Sequence, residues 1–173
     1  MSSILLAAIG CSDSDAPTDP GGGATVATAA GTGSLVLDET VLGYAPIPGL
    51  SVTLASPAGA STDLLIETDG GIQVNSLFAA AVCFTDLAVF VDDAPVGPGR
   101  RVGVTNTPDI LYNVGSFGFS VTTALSPGTH TITVRAKPFT PLAGVQCYVS
   151  STADGSTLPG RPKLQAVLNV VSF

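Results

Sequence analysis

His130 is the only imidazole in this chain of 173 residues, so it is the sole candidate for a histidine general base, and a multi-histidine metal site is excluded. It shares a strand face with Ile132 and Val134, and no neighbour in sequence supplies a group to orient its ring. That placement predicts a structural histidine with a backbone partner. Serines are plentiful, but no G-x-S-x-G elbow is present; Val114-Gly-Ser-Phe-Gly118 matches half of one and reads as a strand entry. The chain is therefore expected not to be an enzyme. Carboxylates pair at two expected turns, Glu67 with Asp69 and Asp92 with Asp93. If both turns met at one end of the fold, their oxygens could hold calcium, although no EF-hand-like D-x-D-x-D spacing occurs. Solvated turn residues and no cofactor are the default expectation, with calcium as the alternative. Among the three tyrosines, Tyr44 and Tyr112 fall in loops, where a ring could stack on a ligand or a sugar face or plug the edge of the domain. There is no Trp, and Phe84, Phe90, Phe117 and Phe119 read as core.

These residues must be positioned by strands. Leu35–Leu37, Leu50–Ala55, Asp63–Thr68, Ile72–Asn75, Ala81–Asp92, Arg101–Val104, Ser116–Thr123, Thr129–Lys137, Val145–Ser150 and Lys163–Phe173 alternate or run apolar at strand lengths. In Thr129–Lys137, Ile132, Val134 and Ala136 take one face, while Thr131, Thr133, Arg135 and Lys137 take the wet one. Asp69-Gly70-Gly71 has the composition of a hairpin turn returning into Ile72–Asn75. Ala81–Asp92 is apolar on both faces, as a central covered strand would be, and Asp93–Gly99, with two prolines and two glycines, is expected to break it. No sustained helical periodicity exists, and proline is spread too evenly for long helices. The expected fold is all-β: a single antiparallel β-sandwich over residues 34–173, of a length that favours a jelly roll over an immunoglobulin-like domain.

Composition narrows the function classes. The chain is 45% hydrophobic and 11% charged, with 20 Gly, 13 Pro and a net charge of −7. The six basic residues do not cluster beyond Arg100-Arg101, so a phosphate-backbone binder is not expected. Anionic membrane surfaces are poor partners for the same reason. No apolar run approaches the length of about 20 residues that spans a bilayer.

Residues 6–23 read LAAIGCSDSDAPTDPGGG. Apolar Ile4–Ile9, small Gly10 and then Cys11 resemble the lipobox of bacterial lipoproteins, in which the cysteine is acylated and becomes the mature N-terminus. Residues 1–11 are on this resemblance a signal-like segment, and Cys11 is the lipid attachment site. Residues 12–33, built largely of Ser, Asp, Pro, Gly, Ala and Thr, are expected to form a disordered tether. Ser12 follows the cysteine where an Asp often favours inner-membrane retention, so the resemblance points to the outer membrane or cell surface, lipid-anchored or secreted. With Cys11 assigned to lipid, Cys83 and Cys147 remain as an even pair that an oxidising envelope would join. Strand parity agrees, placing Cys83 with Leu87, Val89 and Val91 and Cys147 with Val145 and Val149. Leu125–Ala136 further resembles the L-x-x-G-x-H-x-I-x-V strand of bacterial immunoglobulin-like and related surface domains. Together these features imply a non-catalytic, envelope-anchored surface domain for adhesion, envelope structure or assembly. It would touch the membrane through its anchor alone and meet a protein or glycan partner at the surface. Two alternatives stay open: a ligand- or carbohydrate-binding module, and a homotrimeric jelly-roll head resembling complement- and cytokine-type heads.

Overall fold

The computed structural model describes residues 24–76, 80–107, 113–150 and 164–173. They form ten strands and no helix: β1 Thr25–Ala30, β2 Leu35–Leu37, β3 Ala45–Ser56, β4 Thr62–Ser76, β5 Ala81–Val91, β6 Ala94–Asn106, β7 Val114–Leu125, β8 Gly128–Pro138, β9 Val145–Val149 and β10 Val167–Ser172. Every pairing is antiparallel. One sheet of six strands runs β1-β10-β4-β9-β2, with β7 on the other edge of β4; the second, of four strands, runs β3-β8-β5-β6.

Setting aside the short β2 and β9, the strands pair from the outside inward: β1 with β10, β3 with β8, β4 with β7, β5 with β6. That is one long hairpin rolled up on itself, closed by the cross-pairs β10–β4 and β8–β5. The fold is an antiparallel jelly roll, as its length and turn spacing predict. Period-two alternation explains the layers. In β8, Ile132, Val134 and Ala136 are buried between the sheets, as are Leu64, Ile66, Ile72 and Val74 of β4.

Three expectations are corrected. Asp69-Gly70-Gly71 is not a hairpin turn, because β4 passes straight through it, paired with β7 from Thr62 to Gln73. The glycine at 70 serves close approach instead: a Cβ there would lie 2.5 Å from the Ala166 Cβ and 2.8 Å from the Phe117 ring. Second, Asp93–Gly99 does not break the chain. The reversal is the two-residue turn Asp92-Asp93, both at positive φ (47° and 69°), and β6 begins at Ala94. The prolines fit because β6 is the outer strand of its sheet, and a bulge sets residues 97–99 opposite Ala88. Gly97 takes φ +66° there, against Val121. Third, the tether expected over residues 12–33 contains β1. Thr25–Ala30 carries only small apolar side chains besides Val26, but β10 offers it a full edge from Val167 to Ser172.

The two sheets are stapled by the Cys83–Cys147 disulfide, with Cα atoms 5.9 Å apart. Cys83 comes from β5 and Cys147 from β9, and both are buried, as strand parity predicts. β9 and β10 lie end to end along one edge of β4. At the junction the Ser150 amide donates to the Gly71 carbonyl (3.0 Å) and the Gly71 amide donates to the Leu164 carbonyl (3.2 Å). The chain thus leaves this strand position and re-enters it at the same residue.

Candidate functional site

Alternation that buries one face of the four-stranded sheet turns the other to solvent, and register decides what meets there. Asp86 of β5 lies opposite Arg101 of β6 on one side and Lys137 of β8 on the other. Ala45 pairs with Ala136, which sets Tyr44 beside Lys137. One row across the sheet therefore reads Arg101, Asp86, Lys137, Tyr44. Below it Arg135 stands opposite Ala88. Phe84 and Phe139 meet at the rim, the Phe139 amide donating to the Phe84 carbonyl at 2.9 Å.

Each of three cations in this group sits on a ring. The Arg101 guanidinium lies 3.3 Å from the Phe139 centroid, that of Arg135 4.5 Å from Phe90, and the Lys137 Nζ 4.9 Å from Tyr44. Tyr44 in turn meets Phe90 edge to face, with centroids 5.2 Å apart. Arg101 also donates through Nε and Nη2 to the two Asp86 oxygens, at 2.6 and 3.1 Å. Arg135 donates through Nε to the Thr133 hydroxyl at 3.1 Å and through Nη2 to Asp93. Planar, permanently charged guanidinium groups suit this double use, stacking on a ring while binding a carboxylate in plane. Burial first, and then the Asp86 carboxylate, push the Tyr44 phenol above its ordinary value, against a smaller opposing pull from Arg101. The phenol therefore stays a hydrogen-bond donor across the neutral range. Between Tyr44, Asp86, Leu87 and Gly99–Arg101 opens a cleft of about 260 Å³.

All four described Lys and Arg residues, Arg100, Arg101, Arg135 and Lys137, belong to this sheet. Among the described residues, Arg100 and Lys137 have no carboxylate within salt-bridge distance, whereas Arg101 and Arg135 do. Arg101, Arg135 and Lys137 share the outer face, whereas Arg100, opposite core-facing Leu87, leaves the edge of β6 on the other side.

The residues singled out by sequence fall as follows. Tyr44 joins the face; Tyr112 and Cys11 lie outside the described residues. Phe117 and Phe90 are buried, but Phe90 is covered from outside by Tyr44 and Arg135, and Phe84 is 38% exposed rather than core. Even positions of β5 face outward at that end, which a double-faced apolar run conceals. Glu67 and Asp69 sit within β4 of the six-stranded sheet, whereas Asp92 and Asp93 form the β5–β6 turn. The expected meeting of two acidic turns does not occur, since Asp69 is in no turn. Among the described residues no three His, Cys, Asp or Glu side chains gather as a metal site.

His130 has the expected backbone partner and an orienting carboxylate that sequence did not disclose. Its Nδ1 lies 2.5 Å from Asp92 Oδ2 and its Nε2 2.8 Å from the Ser126 carbonyl. Acceptors on both sides make both ring nitrogens donors, so the geometry favours imidazolium and leaves no lone pair for a substrate proton. The Asp92 hydrogen bond, and next the Ser126 carbonyl, hold the imidazole above its usual value. The Thr131 amide, at 2.8 Å, and then His130 hold the Asp92 carboxyl below its own. This cluster clamps the tight turn onto β8.

Sequence reasoning missed Asp86, Arg101 and Phe139 as members of a site. The doublet Arg100-Arg101 and the wet face of Arg135 and Lys137 were the visible signals; only register places Arg101 on the same face as Arg135 and Lys137 and leaves Arg100 off it. No protein-family model matches the chain, and a search of curated proteins finds no relative.

Proposed function

We propose that this chain is a non-catalytic, envelope-anchored surface domain that engages its partner through the outer face of the four-stranded sheet. The observation that carries the reading is the gathering of three of the four described cations of an acidic chain, Arg101, Arg135 and Lys137, on one face, stacked on Phe139, Phe90 and Tyr44. Aromatic and arginine side chains held rigidly at a surface are the residue types that dominate recognition energetics. The disulfide supports a place in an oxidising compartment, and the lipobox-like context of Cys11 supports an anchor there. The saturated hydrogen bonding of His130 supports the absence of catalysis. The test is a glycan array and an envelope-fraction pull-down with the full chain and with a Lys137→Glu variant. Lys137 holds no ion pair among the described residues, so reversing its charge breaks none. Loss of a wild-type signal in the variant supports the reading. Retention unchanged, or a hydrolytic turnover that depends on His130, overturns it.

A further inference from the structure

The edges of the two sheets are not equally guarded. β3 and β6 border the four-stranded sheet, and each carries two prolines and a bulge, between Pro46 and Ser51 in one and around Ala88 in the other pairing. β2 is three residues long, and β7 is flanked by β6 at both ends, where Gly97 meets Val121 and Gly115 meets Val104. β1 has none of these devices. It borders the six-stranded sheet and pairs with β10, and no Lys, Arg, Asp, Glu or Pro occurs from Gly21 to Leu37. Hydrogen bonds just past the strand fix which of its backbone groups point outward. The Gly31 amide donates to the Ala166 carbonyl (2.8 Å), one step beyond the register that pairs Ala30 with Val167. Alternation then turns Thr25, Ala27 and Ala29 towards β10, and Val26, Thr28 and Ala30 away from it. The Thr32 amide agrees, donating outward to the Pro48 carbonyl of β3 (2.9 Å). That bond, with Gly49 close against the Ala30 carbonyl, marks where β3 takes over the edge. Among the described residues the outward amides and carbonyls of Val26 and Thr28 have no backbone partner. Ala27 and Ala29 pack towards the core, so Val26, 66% exposed, lies on the outer side of the sheet beside its pair Val171.

We infer that β1 pairs antiparallel with β1 of a second copy of this chain, joining two six-stranded sheets into one. A row of unpaired N–H and C=O groups is completed by another strand, and this row is its own complement. A twofold axis at Ala27 sets Val26 of each copy opposite Thr28 of the other. Both residues turn their backbone groups outward, so the two pairs exchange four hydrogen bonds. Charge selects the occupant. Two chains of net charge −7 repel, yet this edge holds no charge, so copies meet where repulsion is least. An acidic or basic peptide would find no counter-charge on the strand. The contact is short, smaller than a permanent interface needs, so the dimer is weak and depends on concentration.

The test is sedimentation equilibrium of the full chain carrying Cys11→Ser, which keeps a Cys11 disulfide from imitating a dimer. Concentrations of about 5–500 µM bracket the affinity of a small, weak interface. A monomer–dimer equilibrium is expected, tightening as salt rises from about 20 to about 300 mM and screens the like charges. Hydrogen exchange locates the contact. Protection of the Val26 and Thr28 amides should rise with protein concentration, whereas Ala27 and Ala29, already bonded to β10, are protected at every concentration. Thr28→Pro removes an outward amide and leaves the β10 ladder whole, and it is expected to weaken the dimer at least about tenfold. Val26→Lys is expected to do the same, although it lowers the net negative charge of each copy by one and with it their overall repulsion. A chain that stays monomeric throughout this range overturns the inference. So does a dimer that both variants leave intact, or one whose formation leaves exchange at Val26 and Thr28 unchanged.

Discussion

Opening the Cys83–Cys147 bridge should cost this domain a large part of its stability. The bridge spans 64 residues of sequence and joins the two sheets. In the chain-entropy treatment a closed loop of that length is worth about 14.5 cal/mol/K, or about 4 kcal/mol at 25 °C, removed from the unfolded ensemble. Domains of this kind hold roughly 5–15 kcal/mol in all. A folding unit of about 150 residues melts with an entropy of about 0.3 kcal/mol/K, so the loss corresponds to a fall in Tm of roughly 10–13 °C. The Cys83→Ala/Cys147→Ala variant also loses two buried sulfur atoms, adding about 1 kcal/mol of lost packing. Reduced wild type keeps the sulfurs and isolates the loop effect. Urea titration of oxidised wild type, reduced wild type and the double variant measures both terms. Because the entropy acts on the unfolded chain, the m-value should rise slightly when the bridge is opened. A difference below about 1 kcal/mol between oxidised and reduced protein would refute this reasoning, given the scale expected for so long a loop. So would two free thiols in the denatured, unreduced Cys11→Ser chain.

The His130–Asp92 clamp should make stability pH-dependent. The raised imidazole stabilises the fold fully below its unfolded value of about 6.5 and loses that contribution as pH rises through the folded value; the lowered carboxyl contributes above about 3.8 and loses it as pH falls. The Tm gap between wild type and His130→Gln should thus be widest near about pH 5–6 and narrow toward pH 9, and a gap that widens with alkalinity contradicts the clamp. Gly70→Ala should destabilise by about 1–3 kcal/mol in urea, since the new methyl meets Ala166 and Phe117; a neutral result would indicate that residues 69–71 turn after all. Ile66→Ala, emptying a fully buried site in β4, should cost about 2–5 kcal/mol by the same measurement. Expressed in a Gram-negative host, the full chain should partition into detergent and Cys11→Ser should release it; a wild type that stays aqueous removes the anchor from the proposed function.

Much of the fold is local in origin and was therefore legible. Thr129–Lys137 alternates, so its strand and its buried face follow from period two, and β8 matches within a residue at each end. Leu35–Leu37 is recovered at its observed bounds. The failures share a cause. Asp-Gly-Gly has turn chemistry, yet at 69–71 the glycines answer Ala166 and Phe117, which lie far away in the chain. Thr25–Ala30 looks like linker because its partner edge is β10, more than a hundred residues on.

The same division separates the candidate site from its parts. Sequence alone determined the strand faces, the pairing parity of Cys83 and Cys147, the solitary imidazole and the scarcity of cations. Tertiary structure decided which strands are neighbours. Asp86 meets both Arg101 and Lys137 because rolling the long hairpin brings β6 and β8 to opposite edges of β5. Likewise Asp92 reaches His130 across 38 residues only because the β5–β6 turn closes onto β8. Side-chain direction along one strand depends on the geometry of adjacent peptides and is written locally. Adjacency between strands depends on the path of the whole chain, and no short stretch of sequence carries it.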